Sequence, residues 1–266
     1  MEHVREFREL INKISESKYE TLKYLSEYLY NMNPRKISYL VIIMVFVSTF
    51  LVLFKPYLYS FRRNGIDYKG EEVMLPEPRL KGDMSVEEAI AKRRSIRHYK
   101  DKPLTLEQLS QLLWAAQGIT DEKRKFRAAP SAGATYPFEI YVVVENVKGL
   151  KPGIYHYNSF KHSLTLIKEG DYRKQLQAAA LNQQWVGKAA VNIVLVAFYE
   201  RTTRYYGERG YRYVHMEAGH IGQNIYLQAT ALGLGTVAVG AFHDEEVAKI
   251  LGTEGDPVYI FPVGVP

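Results

Sequence analysis

The sequence predicts an α+β fold with a central mixed sheet flanked by helices, preceded by an N-terminal transmembrane helix. Short runs rich in β-branched and aromatic residues recur from residue 139 to the C-terminus. Segments with apolar residues at helical spacing separate those runs. Before them, residues 37–54 carry no charge. These patterns indicate one folded domain of about 180 residues behind a membrane anchor.

The uncharged segment is ISYLVIIMVFVSTFLVLF, between Lys36 and Lys55. At about 1.5 Å per residue, a helix of this length crosses most of a hydrocarbon layer of about 30 Å. We interpret residues 37–54 as a single-pass transmembrane helix, with a buried core helix as the alternative. A cleaved signal peptide does not fit, because acidic residues precede the segment and no small-residue cleavage site follows it.

The segments on either side of this helix have different patterns. Residues 1–36 place apolar side chains at roughly helical spacing, which predicts an amphipathic helix that lies on the membrane or pairs with a second copy. Residues 55–84 contain three prolines and no sustained periodicity, which predicts a linker. Basic residues lie on both flanks of 37–54, so the charge rule sets no orientation. The folded domain is then 85–266.

Two helices open the domain. Ser85 is a predicted N-cap, and Thr105 with Gln108 forms a capping box ahead of an apolar helical pattern that Gly118 closes. Strands and helices then alternate along the chain. The predicted strands are 139–144, 153–157, 163–167, 190–199, 236–242 and 258–263, and the predicted helices are 171–181, 212–232 and 244–251.

The composition excludes several classes of function. The 266 residues include no cysteine, which excludes thiolate nucleophiles, cysteine-ligated zinc and disulfides. A net charge of +6 permits an anionic ligand. The basic residues are scattered apart from one cluster and match no nucleic-acid-binding module, so we expect no nucleic-acid partner.

Two motifs resemble known sites but lack the required context. GLGTVA at 233–238 matches a dinucleotide fingerprint, yet a predicted helix precedes it and a strand follows, the reverse of the required order. A helix C-cap explains Gly233 and Gly235 better. HMEAGH contains His215 and His220, which lie about 140° apart around a helix and cannot share one ion. We therefore expect no metal.

The local basic cluster is KRRSIRHYKDKP, residues 92–103. Guanidinium forks and a hydroxyl within one turn suit a phosphate and a polyol. The candidate ligands are Arg93, Arg94, Ser95 and Arg97. The alternative is that these cations only complement the dipole at the end of the preceding helix.

A second candidate is a loop of small side chains in RAAPSAGATYPFEIYVVV, which begins at Arg127. Residues 130–134 read Pro-Ser-Ala-Gly-Ala, directly before an apolar strand. Such a loop lets backbone amides approach a flat ligand closely. A plain tight turn is the alternative.

Residues 86–266 resemble the nitroreductase superfamily of FMN-dependent oxidoreductases, and within it the SagB-type dehydrogenase branch. The resemblance rests on RRSIRHY, LSQLLWAAQGIT, PSAGATYPFEIYVV, GIYHY, YGERGYRYVHMEAGHIGQN and LGLGTVAVGAF in one order. It implies a homodimer that binds FMN at the subunit interface, with NADH or NADPH as the reductant.

The resemblance also implies roles for individual residues. Arg93, Arg94, Ser95 and Arg97 match the motif that holds the FMN phosphate, ribityl chain and pyrimidine edge. Pro130, Ser131, Ala132 and Gly133 match the loop near the flavin ring, supplied by the partner chain. Gly240 and Ala241 match the place where a backbone amide faces flavin N5.

The chain departs from the wider family in places. Ala134 and Tyr136 replace the usual Asn and Gln, as in the SagB-type branch, and the C-terminus VGVP lacks basic residues. Azoline-oxidising SagB-type enzymes have a Lys-Tyr pair where this chain has Tyr205 and Tyr206 after Arg204, so the missing lysine argues against heterocycle oxidation. Tyr205 and Tyr206 are candidate catalytic residues, or they only pack an interface.

These features predict a membrane-anchored FMN-dependent oxidoreductase that transfers hydride through flavin N5. Its electron acceptor would be a small molecule or a lipid-phase compound such as a quinone, and its catalytic domain would be cytoplasmic. The alternatives are a non-enzymatic, membrane-tethered flavin sensor and an anchored scaffold with a decayed site. Four polar residues of the long helix fit dimer contacts as well as catalysis: Glu217, His220, Gln223 and Asn224.

Overall fold

A seven-stranded sheet is the centre of the structure, a computed structural model that describes residues 68–266. The strands are Glu72–Met74 (β1), Ile119–Asp121 (β2), Phe126–Arg127 (β3), Phe138–Val144 (β4), Gly153–Asn158 (β5), Ser163–Glu169 (β6), Val191–Ala197 (β7), Gly235–Thr236 (β8) and Asp256–Gly264 (β9). The order in the sheet is β1-β6-β5-β4-β7-β9-β8, while β2 and β3 pair separately. Its ladders are antiparallel, and isolated bridges such as that from Ser95 to Thr236 add parallel pairing.

Helices cover both faces of this sheet, as the predicted α+β fold requires. They are Val86–Lys92 (α1), Leu106–Gln117 (α2), Arg173–Ala179 (α3), Gln184–Gly187 (α4), Glu200–Tyr206 (α5), Arg209–Ala231 (α6) and Asp244–Leu251 (α7). On one face Ile140 and Val142 pack with α2 and α6, and on the other Tyr141 and Val143 pack with α3, α4 and α7. Because both faces are covered, β4 and β7 are buried over their whole length.

The predicted helix signals at the front of the domain are confirmed. The Ser85 side chain accepts a hydrogen bond from the Glu88 backbone N–H at 3.1 Å and caps α1. Thr105 and Gln108 form a reciprocal capping box at the start of α2, with distances of 3.2 and 2.9 Å. Gly118 is the C-cap of α2. Local side-chain chemistry therefore sets these boundaries.

The segment after α6 differs from the predicted strand over 236–242. Continuous strand pairing ends after Thr236, and the Ala238 N–H donates to the Tyr226 hydroxyl at 2.8 Å. Val239 then makes only an isolated antiparallel bridge to Ile260. Gly240 and Ala241 are consequently in an exposed turn. This difference matters because the exposed turn is one of the candidate ligand contacts.

The two glycines assigned to a helix C-cap have separate roles. Gly233 follows α6 with φ +67°, the left-handed conformation that ends many helices. Gly235 instead begins β8, where an added Cβ would come within 2.7 Å of Ile96. The second glycine is thus needed for close approach of two chain segments and not for the cap.

The structure covers only part of the N-terminal predictions. Segments 1–36 and 37–54 lie outside the described residues. Within residues 68–266, no helix has the length and apolar character to cross a bilayer. Part of the predicted linker 55–84 is strand β1, which the buried Leu75 fixes to the core; three residues are too few to show a strand period in sequence.

Candidate functional site

The basic turn follows α1 as an extended segment, because Ser95 bridges to Thr236 at the sheet edge. Successive side chains of an extended chain point to opposite sides. Arg93 and Ser95 therefore share one side, and both reach Tyr226 of α6. The Arg93 guanidinium lies 5.1 Å from the ring centre, and the Ser95 hydroxyl lies 2.9 Å from the tyrosine hydroxyl.

Arg94 and Arg97 are exposed on the same turn but make different contacts. Arg94 Nη1 turns back and donates to the carbonyl groups of Ala91 and Arg93 at 3.0 and 2.7 Å. The Arg97 guanidinium lies 5.5 Å above the Trp185 ring. Arg94 thus complements the end of α1, whereas Arg97 faces another segment of the chain.

Tyr226 joins the basic turn to the exposed turn at Gly240 and Ala241. Its hydroxyl accepts the Ala238 N–H at 2.8 Å while it pairs with Ser95. From the other side, the Gln183 amide donates to the Ala241 carbonyl at 2.8 Å. We call this group the arginine cluster, defined as residues 93–97, 183–185, 226 and 236–241. It places cations, a hydroxyl and an exposed backbone turn together, which is suited to an anionic ligand that carries a polyol.

The loop 130–136 is a strained turn before β4. Gly133, Ala134 and Tyr136 have φ values of +59°, +50° and +45°. Glycine adopts such values freely, but the other two residues do so at a cost. The Tyr136 N–H donates to the Ser131 Oγ at 2.9 Å and helps to hold this shape.

The candidate catalytic tyrosines lie at the end of α5. Tyr205 and Tyr206 are 48% and 39% exposed. Tyr206 packs edge-on against Tyr213 at 5.1 Å, and a Cβ added at Gly133 would come within 2.7 Å of the Tyr206 hydroxyl oxygen. We call loop 130–136 with Tyr206 and Tyr213 the tyrosine cluster. Pro130 is exposed in its loop and Ala132 is half-buried.

A buried ion pair fixes α5 against the start of β4. Arg201 Nη1 lies 2.7 Å from one carboxylate oxygen of Glu139 and donates to the Tyr136 carbonyl at 3.2 Å. His156 Nε2 lies 2.8 Å from the other oxygen. Burial opposes ionisation of Glu139, but the contacts with His156 and Arg201 outweigh it and lower its pKa. The charged Glu139 thus connects the helix of the tyrosines to the loop.

Glu217 of α6 lies beneath the same loop and is 3% exposed. Gln117 Nε2 donates to its Oε1 at 3.2 Å. Burial raises the pKa of Glu217 to about 7, although Ser131, Gln117 and the charge of Arg127 act in the opposite direction. Glu217 is therefore neutral below about pH 7.

The strand register places the basic turn and loop 130–136 toward opposite ends of β9. Phe138, next to the loop, pairs with Ala197, which pairs with Asp256 of β9. Thr236, next to the basic turn, pairs with Val263 at the other end of β9. The seven-residue offset along β9 corresponds to about 23 Å.

Helix α6 spans the same interval. Tyr213 contacts the tyrosine cluster and Tyr226 belongs to the arginine cluster. Thirteen residues of helix separate them, or about 20 Å. The turn at Gly240 and Ala241 lies nearer the loop along β9, because Val239 bridges to Ile260.

Three residues of the site are not predicted from the sequence: Tyr226, Gln183 and Trp185. The contact from Ser95 to Tyr226 joins residues 131 positions apart, and that from Gln183 to Ala241 joins residues 58 apart. Helical spacing marks Tyr226 only as an inward-facing residue. No local pattern in the sequence predicts contacts between residues so far apart in the chain.

Comparison with known proteins adds independent findings. Residues 90–265 match the model of the nitroreductase family. A Methanocaldococcus jannaschii protein assigned to the nitroreductases is 49% identical over 193 residues, which cover 73% of this chain and 96% of that protein. A crystal structure of an Anabaena variabilis protein assigned to the nitroreductases superposes with a TM-score of 0.68 at 29% identity, over 76% of this chain and 43% of that chain.

A further relative comes from a peptide-processing system. The microcin B17-processing protein of Escherichia coli is 27% identical over 156 residues. The match covers 57% of this chain and 57% of that protein, so this chain spans little more than half the length of that relative. The resemblance to the nitroreductase superfamily and its SagB-type branch is confirmed.

Replacing Gly133 by alanine should destabilise the tyrosine cluster by more than the backbone cost of about 1–2 kcal/mol, because the new Cβ meets the Tyr206 hydroxyl at 2.7 Å. Thermal unfolding measures the loss. Gly149→Ala is the matched control, since Gly149 has φ +83° with no atom near its Cβ position. Equal losses in the two variants would contradict the contact. Adding Tyr206→Phe to Gly133→Ala should recover the difference.

Replacing Glu217 by glutamine should change how stability depends on pH. The pKa of Glu217 is about 7 in the folded chain and 4.5 as its ordinary value, so the folded state holds the proton more tightly. This tighter binding of the proton stabilises the folded state. The stabilisation is complete below pH 4.5 and is lost as the pH rises through 7. Relative to wild type, Glu217→Gln should therefore gain stability across that window, by about 3 kcal/mol at its end. Denaturant unfolding at several pH values measures it, and a constant difference would refute it.

Proposed function

This chain belongs to the nitroreductase family of oxidoreductases, and on that premise we propose that it is an FMN-dependent enzyme of the SagB type. The observation that carries the proposal is the hydrogen-bonded link from Ser95 through Tyr226 to Ala238. That link brings the basic turn beside the exposed turn at Gly240 and Ala241. The comparisons support a flavin cofactor. The arginine cluster supports FMN in particular, because its guanidinium groups can bind a phosphate.

The residues of the arginine cluster fit this cofactor. Arg93, Ser95 and Arg97 are every second residue of an extended segment and therefore lie on one side of it. This arrangement suits a phosphate and a ribityl chain. Two buried polar atoms in the cluster, Trp185 Nε1 and Thr236 Oγ1, have no hydrogen-bond partner among the described residues. A polar ligand or an ordered water has to satisfy them.

Bound FMN would supply the redox chemistry through N5 of its ring. The chain would hold the phosphate with Arg93 and Arg97 and orient the ribityl chain with Ser95. The backbone of Gly240 and Ala241 would face the ring, where the absence of a side chain at Gly240 allows close approach.

We propose that a second copy of the chain completes the site. In one chain Tyr226 and Tyr213 lie about 20 Å apart along α6, so loop 130–133 of the partner would meet the basic turn. Tyr206, which is exposed and lies beside that loop, would enter the site with it. Its phenol could then donate or accept a proton at its hydroxyl oxygen, with Tyr205 beside it.

Three further parts of the proposal rest on the sequence alone. Residues 37–54 would anchor the chain in a membrane. The catalytic domain would lie in the cytoplasm, where FMN and its usual reductants are found. NADH or NADPH would be the reductant. The acceptor would be a small molecule or a lipid-phase compound such as a quinone, which an anchored enzyme is placed to reach.

Removing phosphate-binding arginines should weaken FMN but not riboflavin. We expect Arg93→Ala and Arg97→Ala each to raise the FMN dissociation constant by about 10–100-fold, measured by flavin fluorescence titration of the full chain. Arg94→Ala is the matched control, because Arg94 already binds the carbonyl groups at the end of α1. Equal effects on both flavins would contradict the phosphate assignment, and a chain that binds neither flavin would refute the proposed function.

Tyr206→Phe should lower kcat by about 100-fold while leaving FMN affinity unchanged, if the phenol moves a proton. Stopped-flow kinetics of the FMN-loaded full chain, with reduced nicotinamides and then nitroaromatic or quinone acceptors, measure the effect. Tyr211→Phe is the control, since Tyr211 is 47% exposed and packs on Tyr199. A chain that binds FMN yet turns over no pair of substrates would instead be a flavin sensor.

A further inference from the structure

Arg127 of β3 is a buried cation in direct contact with loop 130–136. It is only 9% exposed. Its guanidinium lies 4.7 Å from the centre of the Tyr136 ring and 5.5 Å from that of Phe160. Its backbone N–H donates to the Tyr136 hydroxyl oxygen at 3.3 Å. Arg127 is therefore held against the last residue of the loop that is expected near the flavin.

The carboxylates near Arg127 are committed elsewhere. Arg127 forms no ion pair among residues 68–266. Glu139 is paired with Arg201 at 2.7 Å. Burial raises the pKa of Glu217 to about 7, so this acid is neutral below that pH. Both acids act on Arg127 only through space, and its positive charge lacks an anion in contact with it.

The hydrogen-bond donors of the guanidinium are also free of acceptors. The one hydrogen bond that Arg127 donates to residues 68–266 comes from its backbone. Its Nε is buried without a partner, whereas the two Nη groups keep some contact with solvent. The aromatic rings compensate part of the cost of burying this cation, but a hydrogen-bonded anion compensates more. A guanidinium edge is a planar fork that matches the two oxygens of a carboxylate.

We propose that Arg127 is a substrate-binding residue, which takes the carboxylate of a small anionic molecule and holds it at loop 130–136. This inference rests on the proposed function, because that loop would lie beside the flavin of the partner chain. Among small-molecule substrates, the enzyme would then favour those that carry a carboxylate over neutral molecules of the same shape. The competing role is a structural cation that only balances Glu139 and Glu217.

Thermal unfolding of the flavin-free full chain separates these two roles. Arg127→Met keeps the length of the side chain and removes an uncompensated buried charge, so it should unfold at the wild-type temperature or above it. A structural cation for Glu139 and Glu217 would instead give a clear loss of stability, which would overturn the inference. Arg124→Met is the matched control, since Arg124 is exposed in the same hairpin and lies 5.9 Å from the centre of the Phe126 ring.

Ligand stabilisation in the same assay tests the carboxylate directly. Benzoate should raise the unfolding temperature of wild type and Arg124→Met but not of Arg127→Met, because a ligand stabilises only the folded chain that binds it. Benzamide has the same shape without the charge and should raise none of them. An equal effect of benzoate on wild type and Arg127→Met would overturn the inference.

Titration of the FMN-loaded full chain places the carboxylate near the flavin. Benzoate should perturb the flavin absorbance, with a dissociation constant that rises about 10–100-fold in Arg127→Met. Arg127→Lys should give an intermediate loss, because an ammonium group has the charge without the fork. Equal benzoate affinities in wild type and Arg127→Met would overturn the inference and leave flavin binding intact. A chain that binds no flavin would overturn the proposed function and the substrate role, whereas the unfolding assay tests the carboxylate site by itself.

Discussion

Helix α6 fixes the separation of the two clusters, and the proposed dimeric site depends on that separation. Gly222 lets the helix lie directly on the sheet, since a Cβ there would come within 2.6 Å of the Phe261 ring. A helix of 23 residues seated in this way moves as a unit with the sheet. In the proposed site, the basic turn of one chain and loop 130–136 of a second copy related by twofold symmetry would form the two halves.

The sheet itself explains why the candidate residues lie in turns. Because helices bury both faces of β4 and β7, polar chemistry is confined to the ends and edges of the strands. The turn before β4 adopts left-handed values at Ala134 and Tyr136, which only surrounding contacts can maintain. Glu139 supplies one such contact, because its carboxylate pairs with Arg201, which donates to the Tyr136 carbonyl. The contacts with His156 and Arg201 lower the pKa of Glu139, whereas burial raises the pKa of Glu217 on α6.

Local chemistry made much of the fold predictable. The capping residues Ser85 and Thr105 and the apolar runs that became β4 and β7 depend on neighbours within a few residues, so the sequence shows them directly. The predicted strand over 236–242 is only the two-residue strand Gly235–Thr236 and an isolated bridge at Val239. Between them the Ala238 N–H donates to Tyr226, a contact that no period in the sequence reveals. The candidate site was found as separate segments for the same reason. Residue types indicated what each segment binds. The separation of the basic turn from loop 130–136 follows instead from strand register.

The two interpretations of the basic turn, a ligand site and a complement to the helix dipole, apply to different residues of the same segment. A helix ends with carbonyl groups that lack partners, and a nearby cation stabilises them. Arg94 takes that role, as its contacts with Ala91 and Arg93 demonstrate. Since side chains alternate in the extended segment that follows, Arg93, Ser95 and Arg97 are turned to the opposite side. Arg93 and Arg97 then lie over the aromatic rings of Tyr226 and Trp185, which position each guanidinium without using its hydrogen-bond donors. Donors held in place but not consumed by any residue of 68–266 are what a phosphate-binding site needs.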